Sequence, residues 1–79
     1  MIILFYAHSV YNLFMRYKEI EKRLKKDGWI LFAQRGSHCQ FVHKTKAGKV
    51  TVPKHPGDIN PSVVKSIWRQ AGISEAKVK

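Results

Sequence analysis

Three apolar, β-rich runs separated by glycine-bearing turns fill residues 29–53, and they constrain this chain more than any other feature. "WILFAQR" (29–35), "HCQFVH" (38–43) and "KVTVP" (49–53) are rich in aromatic and β-branched side chains, which suit a pleated surface. Gly36-Ser37 leaves only two residues to reverse the chain between the first two runs, so those strands are antiparallel neighbours. "KTKAGK" is the next hairpin loop, with Gly48 available for a positive φ. Pro53 ends the third strand or places it at an edge, because proline brings no N–H to a ladder. Large side chains occupy both faces of the first strand, so alternation does not say which face is buried. In the second, His38, Gln40 and Val42 share one face, while Cys39, Phe41 and His43 share the other. Val50 and Val52 share a face of the third.

A small sheet of this kind needs a cover, and the flanks supply it. In "RYKEIEKRLKK" (16–26), Tyr17, Ile20 and Leu24 recur at i, i+3 and i+7, the stripe of an amphipathic helix. Glu19 and Glu21 lie early and Lys25 and Lys26 late, as the helix dipole favours. Asp27-Gly28 stops that helix, Gly28 supplying the left-handed cap. After the loop "KHPGDI", Asn60-Pro61 marks a second start, asparagine as N-cap and proline at the first helical position. Val64, Ile67, Trp68 and Ala71 then form the clearest apolar stripe in the chain, closed by Gly72. Trp29 and Trp68 are expected as core anchors.

The order α-β-β-β-α predicts an α+β domain, a three-stranded antiparallel sheet with two helices on one face and the other face open to solvent. This is the element order of a double-stranded-RNA-binding-like domain, although order alone assigns no function. The 79 residues allow one core.

The first fifteen residues, "MIILFYAHSVYNLFM", contain no Lys, Arg, Asp or Glu. They are too short for a membrane span of about 20 apolar residues. They also lack the basic start and small-residue cleavage site of a signal peptide. Three readings remain: an extra strand packed on the domain or on a second copy, an aggregation-prone tail, or a start codon set too early with Met15 as the natural first residue. Charge begins so abruptly at Arg16 that the last is favoured. The chain thus divides into an extension (1–15), a domain (16–73) and a polar, frayed tail (74–79).

Fifteen Lys and Arg stand against five Asp and Glu, a formal charge of +10. Such a field predicts a polyanionic partner, nucleic acid first. An anionic membrane surface or an acidic protein would answer it too, and solubility alone is the plainest account. The single cysteine, Cys39, rules out an intrachain disulfide and fits a reducing cytoplasm. Histidines 8, 38, 43 and 55 are too scattered for a zinc site, and nothing points to a cofactor. The acidic residues are isolated, so no carboxylate pair serves acid–base work, and Asp27 and Asp58 read as turn residues. A Cys39–His38 nucleophilic pair fails because strand neighbours point to opposite faces.

His38 stands apart. Phe41 is the natural core residue of its strand, which leaves His38 on the open side. Arg35, Lys44, Lys46, Lys49 and Lys54 surround it in sequence, Ser37 and Gln40 complete a candidate RNA-binding set, and Gly36 shapes the turn. An imidazole ordinarily titrates near neutral pH. Beside a phosphate held by cations, it can take the proton of an RNA 2′-hydroxyl, whose oxygen then attacks the adjacent phosphorus. That chemistry needs no metal and spares DNA. A surface histidine that merely lies near lysines is the competing account. His43 and His55 read as exposed loop or edge histidines, and "KRLKK" as a solvated helix face.

"DGW" after a basic helix, then "GSHCQF", then "GKVTVPKHP", then a helix ending in "IWRQAGI", resembles the HicA family of small toxins from toxin–antitoxin pairs. The resemblance covers residues 16–73. It implies a double-stranded-RNA-binding-like fold and an mRNA interferase that arrests growth, with the family histidine of G-S-H at His38. It also implies neutralisation by a HicB-type antitoxin that covers the active site, in a hetero-oligomer that can repress its own operon. Two departures stand out. Ala33 replaces an arginine frequent in relatives, which removes a cation, and the first 14 residues have no counterpart. Two further readings compete: a non-catalytic RNA-binding module, and a membrane-surface protein anchored by residues 1–15.

Overall fold

The computed structural model describes residues 15–73, so the expectations for residues 1–14 and 74–79 lie outside the described residues. Strand β1 (Met15–Arg16) leads into helix α1 (Tyr17–Lys26); strands β2 (Trp29–Arg35), β3 (His38–His43) and β4 (Val50–Pro53) follow, then β5 (Asp58–Ile59) and helix α2 (Pro61–Ala71). The antiparallel meander β2-β3-β4 forms as expected, making an α+β fold. The β1–β5 bridge is new: Met15 pairs with Ile59 and Arg16 with Asp58, where a helix start and a loop were expected. Two-residue strands are too short for any hydrophobic period to announce them.

Both helices pack on the same side of the sheet. Tyr17, Ile20 and Leu24 from α1, and Val64, Ile67, Trp68 and Ala71 from α2, join Trp29, Cys39, Phe41, Val50 and Val52 in one core. Both tryptophans are core anchors, and no polar or charged side chain among the described residues is fully buried.

The helix ends follow their sequence signals. Glu19 reaches back to accept from the Arg16 N–H at 2.9 Å. Asn60 Oδ1 accepts from the Ser62 N–H at 2.8 Å, as an N-cap should. Gly72, at φ +68°, ends α2; its N–H donates to Arg69 O and that of Ile73 to Trp68 O. This Schellman arrangement tucks Ile73 into the core.

The far end of the sheet corrects two expectations. His43, read as an exposed edge histidine, is half-buried and packs edge-on against Trp29 with ring centroids 5.1 Å apart. Its Nδ1 accepts from the Thr45 N–H at 3.1 Å and the Lys46 N–H at 3.2 Å, so Nε2 carries the proton and donates to Asp27 O at 2.8 Å. The alternation that puts His43 on the face of Phe41 carried this outcome; its position at a strand end masked it. Lys46, expected near phosphate, instead donates to Asp27 Oδ2 at 2.7 Å and to Ala71 O at 3.0 Å. It staples the β3–β4 loop to the C-terminal ends of both helices.

Candidate functional site

The site begins with an irregularity in β2. Trp29, Ile30 and Leu31 stand opposite His43, Val42 and Phe41, whereas Ala33, Gln34 and Arg35 stand opposite Gln40, Cys39 and His38. Phe32 is the extra residue, a β-bulge. Residues directly opposite share a face. Counting by twos from buried Trp29, a regular strand would send Arg35 to the covered side. The bulge resets the alternation. Arg35 therefore joins His38 as a cross-strand pair on the open face of the sheet.

The turn between them is tight because its residues allow it. Gly36 sits at φ +57° at the first of the two turn positions, where a II′ hairpin calls for glycine. Gln34 Nε2 donates to Gly36 O at 3.1 Å. On the other side His38 faces Pro53, and the Lys54 N–H donates to Ser37 O. His38 is thus held between two strands with its side chain exposed.

Lys54 turns over Tyr17, its Nζ 5.4 Å from the ring centroid. The two border an open groove of about 380 Å³ that Arg16, Lys18 and His55 also line. Burial pushes the Tyr17 phenol far above its ordinary range, with neighbouring Cys39 and Glu21 adding to the effect. It stays protonated and donates to Glu21 Oε2 at 3.3 Å, and so is a wall of the groove rather than a titrating group.

Of the residues expected from sequence, Arg35, Gly36, Ser37 and His38 gather at this corner; Lys54 joins them through its backbone, while its ammonium lies over Tyr17 on the helix side. Gln40 lies two residues farther along the open face. Lys49 also reaches that face, but toward its far end, with Nζ 5.6 Å from the Phe32 ring centroid. Lys44 lies at the opposite end of the strands, beside Lys25, Gly28, Trp29 and Ile30. Lys46 is bound to Asp27 and the α2 terminus, as described. Cys39 is fully buried, which removes it as a nucleophile.

Sequence reasoning missed Arg16, Lys18 and Phe32. The first two reach the groove only through the β1–β5 bridge and the start of α1. Phe32 is 63% exposed, a signal hidden by the large side chains on both faces of its strand. Among the described residues, no three His, Cys, Asp or Glu side chains group to hold a metal ion, and no helix is long and apolar enough to cross a membrane.

No match is found among curated proteins. The family model described as HicA toxin of bacterial toxin–antitoxin matches residues 17–73, from the tyrosine of the groove to the isoleucine that closes α2. That stretch contains the histidine corner and nearly all of the described fold, and the chain belongs to the HicA toxin family, the toxin side of a toxin–antitoxin pair.

Proposed function

We propose that this toxin is a metal-independent endoribonuclease that cleaves mRNA in the cytoplasm, with His38 as general base. The observation that carries the proposal is the cross-strand pairing of Arg35 with His38 on the open face, at a turn tied by its backbone to Lys54. One group there can move a proton, and its cross-strand neighbour can hold phosphate.

RNA lies on the open face with a phosphodiester against the Arg35 guanidinium. The unprotonated His38 nitrogen takes the 2′-hydroxyl proton, the 2′-oxygen bonds to phosphorus, and the bond from phosphorus to the 5′-oxygen breaks. The leaving oxygen takes a proton from the imidazolium or from water. The products are a 2′,3′-cyclic phosphate and a 5′-hydroxyl end. A cation beside the phosphorus, Arg35, stabilises the charge that builds in the transition state. Ser37 and Gln40 supply hydrogen bonds to the strand, and Lys49 a more distant phosphate contact. A HicB-type antitoxin would neutralise the toxin by covering this face, in a hetero-oligomer.

Induced expression of wild type beside His38→Ala, with mapping of RNA ends, tests the reading. General-base removal is expected to lower cleavage by roughly 10²–10⁴-fold. His38→Ala should keep the wild-type circular dichroism spectrum, allow growth and produce no new ends. Full toxicity in that variant would refute the mechanism. An RNA with a single 2′-deoxy nucleotide at the cleavage point should resist cutting. Salt-dependent RNA binding with no cleavage by wild type would leave the non-catalytic binding module in its place.

A further inference from the structure

We infer that Phe32 is a stacking platform for an unpaired RNA base, set beside the phosphate site of Arg35 and His38. The inference rests on the RNA-directed reading above and extends it from phosphate chemistry to base contact.

The first support is the ring's position. Phe32 is the bulge residue of β2 and is 63% exposed. Lys49 comes just before Val50, which pairs with Phe41 of the covered face, so alternation places Lys49 on the open face. Its ammonium lies 5.6 Å from the Phe32 centroid. To reach the ring, Lys49 must lean across β3 over the open side of the sheet. The ring is therefore on the face that carries Arg35 and His38, three residues or roughly 10 Å from Arg35 along the strand.

The second support is chemical. Leaving most of a phenylalanine ring in water forgoes the favourable burial of its apolar surface. A nucleobase offers a flat apolar surface that recovers part of this, and its own phosphate lies within reach of a cation beside the ring. Aromatic side chains in a positively charged groove are the usual equipment for holding single-stranded nucleic acid. Ala33, the next residue, puts no bulk beside the ring and leaves room for a base. The chain's charge of +10 favours RNA over an apolar protein segment as the occupant. Since every base has a π-face, Phe32 adds affinity and register more than sequence choice.

The test measures binding of a short single-stranded RNA to the full chain by fluorescence anisotropy. His38→Ala serves as the parent protein so that the RNA stays uncut. Phe32→Ala, Phe32→Leu and Phe32→Trp are added to that parent, and each protein is assayed on ordinary RNA and on RNA with abasic sites throughout. Phe32→Ala and Phe32→Leu should weaken binding to ordinary RNA by about 5- to 150-fold, and Phe32→Trp should retain it. On abasic RNA all four proteins should bind alike, and the salt dependence should be unchanged because no charge is removed. Leucine binding as well as phenylalanine, or an equal loss on abasic RNA, overturns the inference. So does a Phe32→Ala protein that binds RNA normally but loses its antitoxin, which would assign the ring to the protein partner. A parent that binds neither RNA would instead bring down the RNA-directed reading itself.

Discussion

Lys46 offers the sharpest separation between a structural lysine and one that meets RNA. Its ammonium donates to Asp27 Oδ2 at 2.7 Å, Ala71 O at 3.0 Å and Gly72 O at 3.5 Å. The change to make is Lys46→Met, which keeps the stem and removes the charge. The side chains of Lys46 and Asp27 are 37% and 32% exposed, so solvent screens the pair and its worth stays near the exposed range, ~0.2–1 kcal/mol. A cation on the last carbonyls of α2 adds ~0.3–1 kcal/mol. Together these predict a loss of about 0.5–2 kcal/mol, or roughly 2–16 °C in Tm for so small a domain. Thermal melts followed by circular dichroism measure it, and a double-mutant cycle with Asp27→Asn should return a coupling of about 0.2–1 kcal/mol.

The pH dependence of the same pair has a definite sign. The Lys46 hydrogen bond holds the Asp27 carboxyl below its ordinary 3.8. A carboxyl that is more acidic folded than unfolded stabilises fully above the unfolded value. That contribution is lost as pH falls through the folded value. The stability gap between wild type and Asp27→Asn should therefore be constant near neutrality and shrink below about pH 4. RNA binding supplies the refutation. If Lys46→Met leaves Tm unchanged but reduces the slope of log K against log salt by about 0.7, the lysine meets phosphate and the staple is incidental.

Three other outcomes follow from the same geometry. Gly28 stands at φ +102°, and a Cβ there would meet His43 Nε2 at 2.7 Å, so Gly28→Ala should destabilise by about 1–3 kcal/mol in urea titrations. His43→Phe removes the acceptor for two loop N–H groups and the donor to Asp27 O; it should lower Tm yet still arrest growth at a temperature where it is folded, the reverse of His38→Ala. Ala33→Arg places a cation opposite Gln40 on the open face and should steepen the salt dependence of RNA binding by about 0.7, with tighter binding at low salt.

Much of the fold was legible because its signals are local. The Asn60-Pro61 start, the stripe from Val64 to Ala71 and the Gly72 stop are each set within a turn or two of helix, and the structure repeats them. The split between exposed His38 and buried Phe41 was legible for the same reason, since period-2 alternation holds through a short regular strand. What stayed hidden depends on non-local pairing. The β1–β5 bridge joins residues more than forty positions apart in only two pairs. Lys46 looked like one more basic loop residue until α1 and α2 brought Asp27 and Ala71 to it. The bulge was illegible because Ile30, Leu31 and Phe32 are all large and apolar, so no break in pattern marks the point where the phase shifts.

That hidden bulge decides the chemistry available to the open face. Phe32 and Ala33 together occupy the space that one residue would take beside Phe41 and Gln40 of β3. Without the extra residue, Gln34 would share the open face with His38 and Arg35 would turn toward the core, leaving the imidazole without its cross-strand cation. With it, Arg35 is delivered to His38 by strand pairing, which costs less entropy than ordering a loop arginine. The same device exposes an aromatic ring next to Ala33. Arginine there would hold RNA by charge. Phenylalanine one residue earlier holds a base by surface, a contact that salt does not screen. The two arrangements therefore differ in a measurable way: at high ionic strength this toxin should keep a larger fraction of its RNA affinity than its Phe32→Ala/Ala33→Arg counterpart, and equal salt losses in the two proteins would show that the ring contributes nothing.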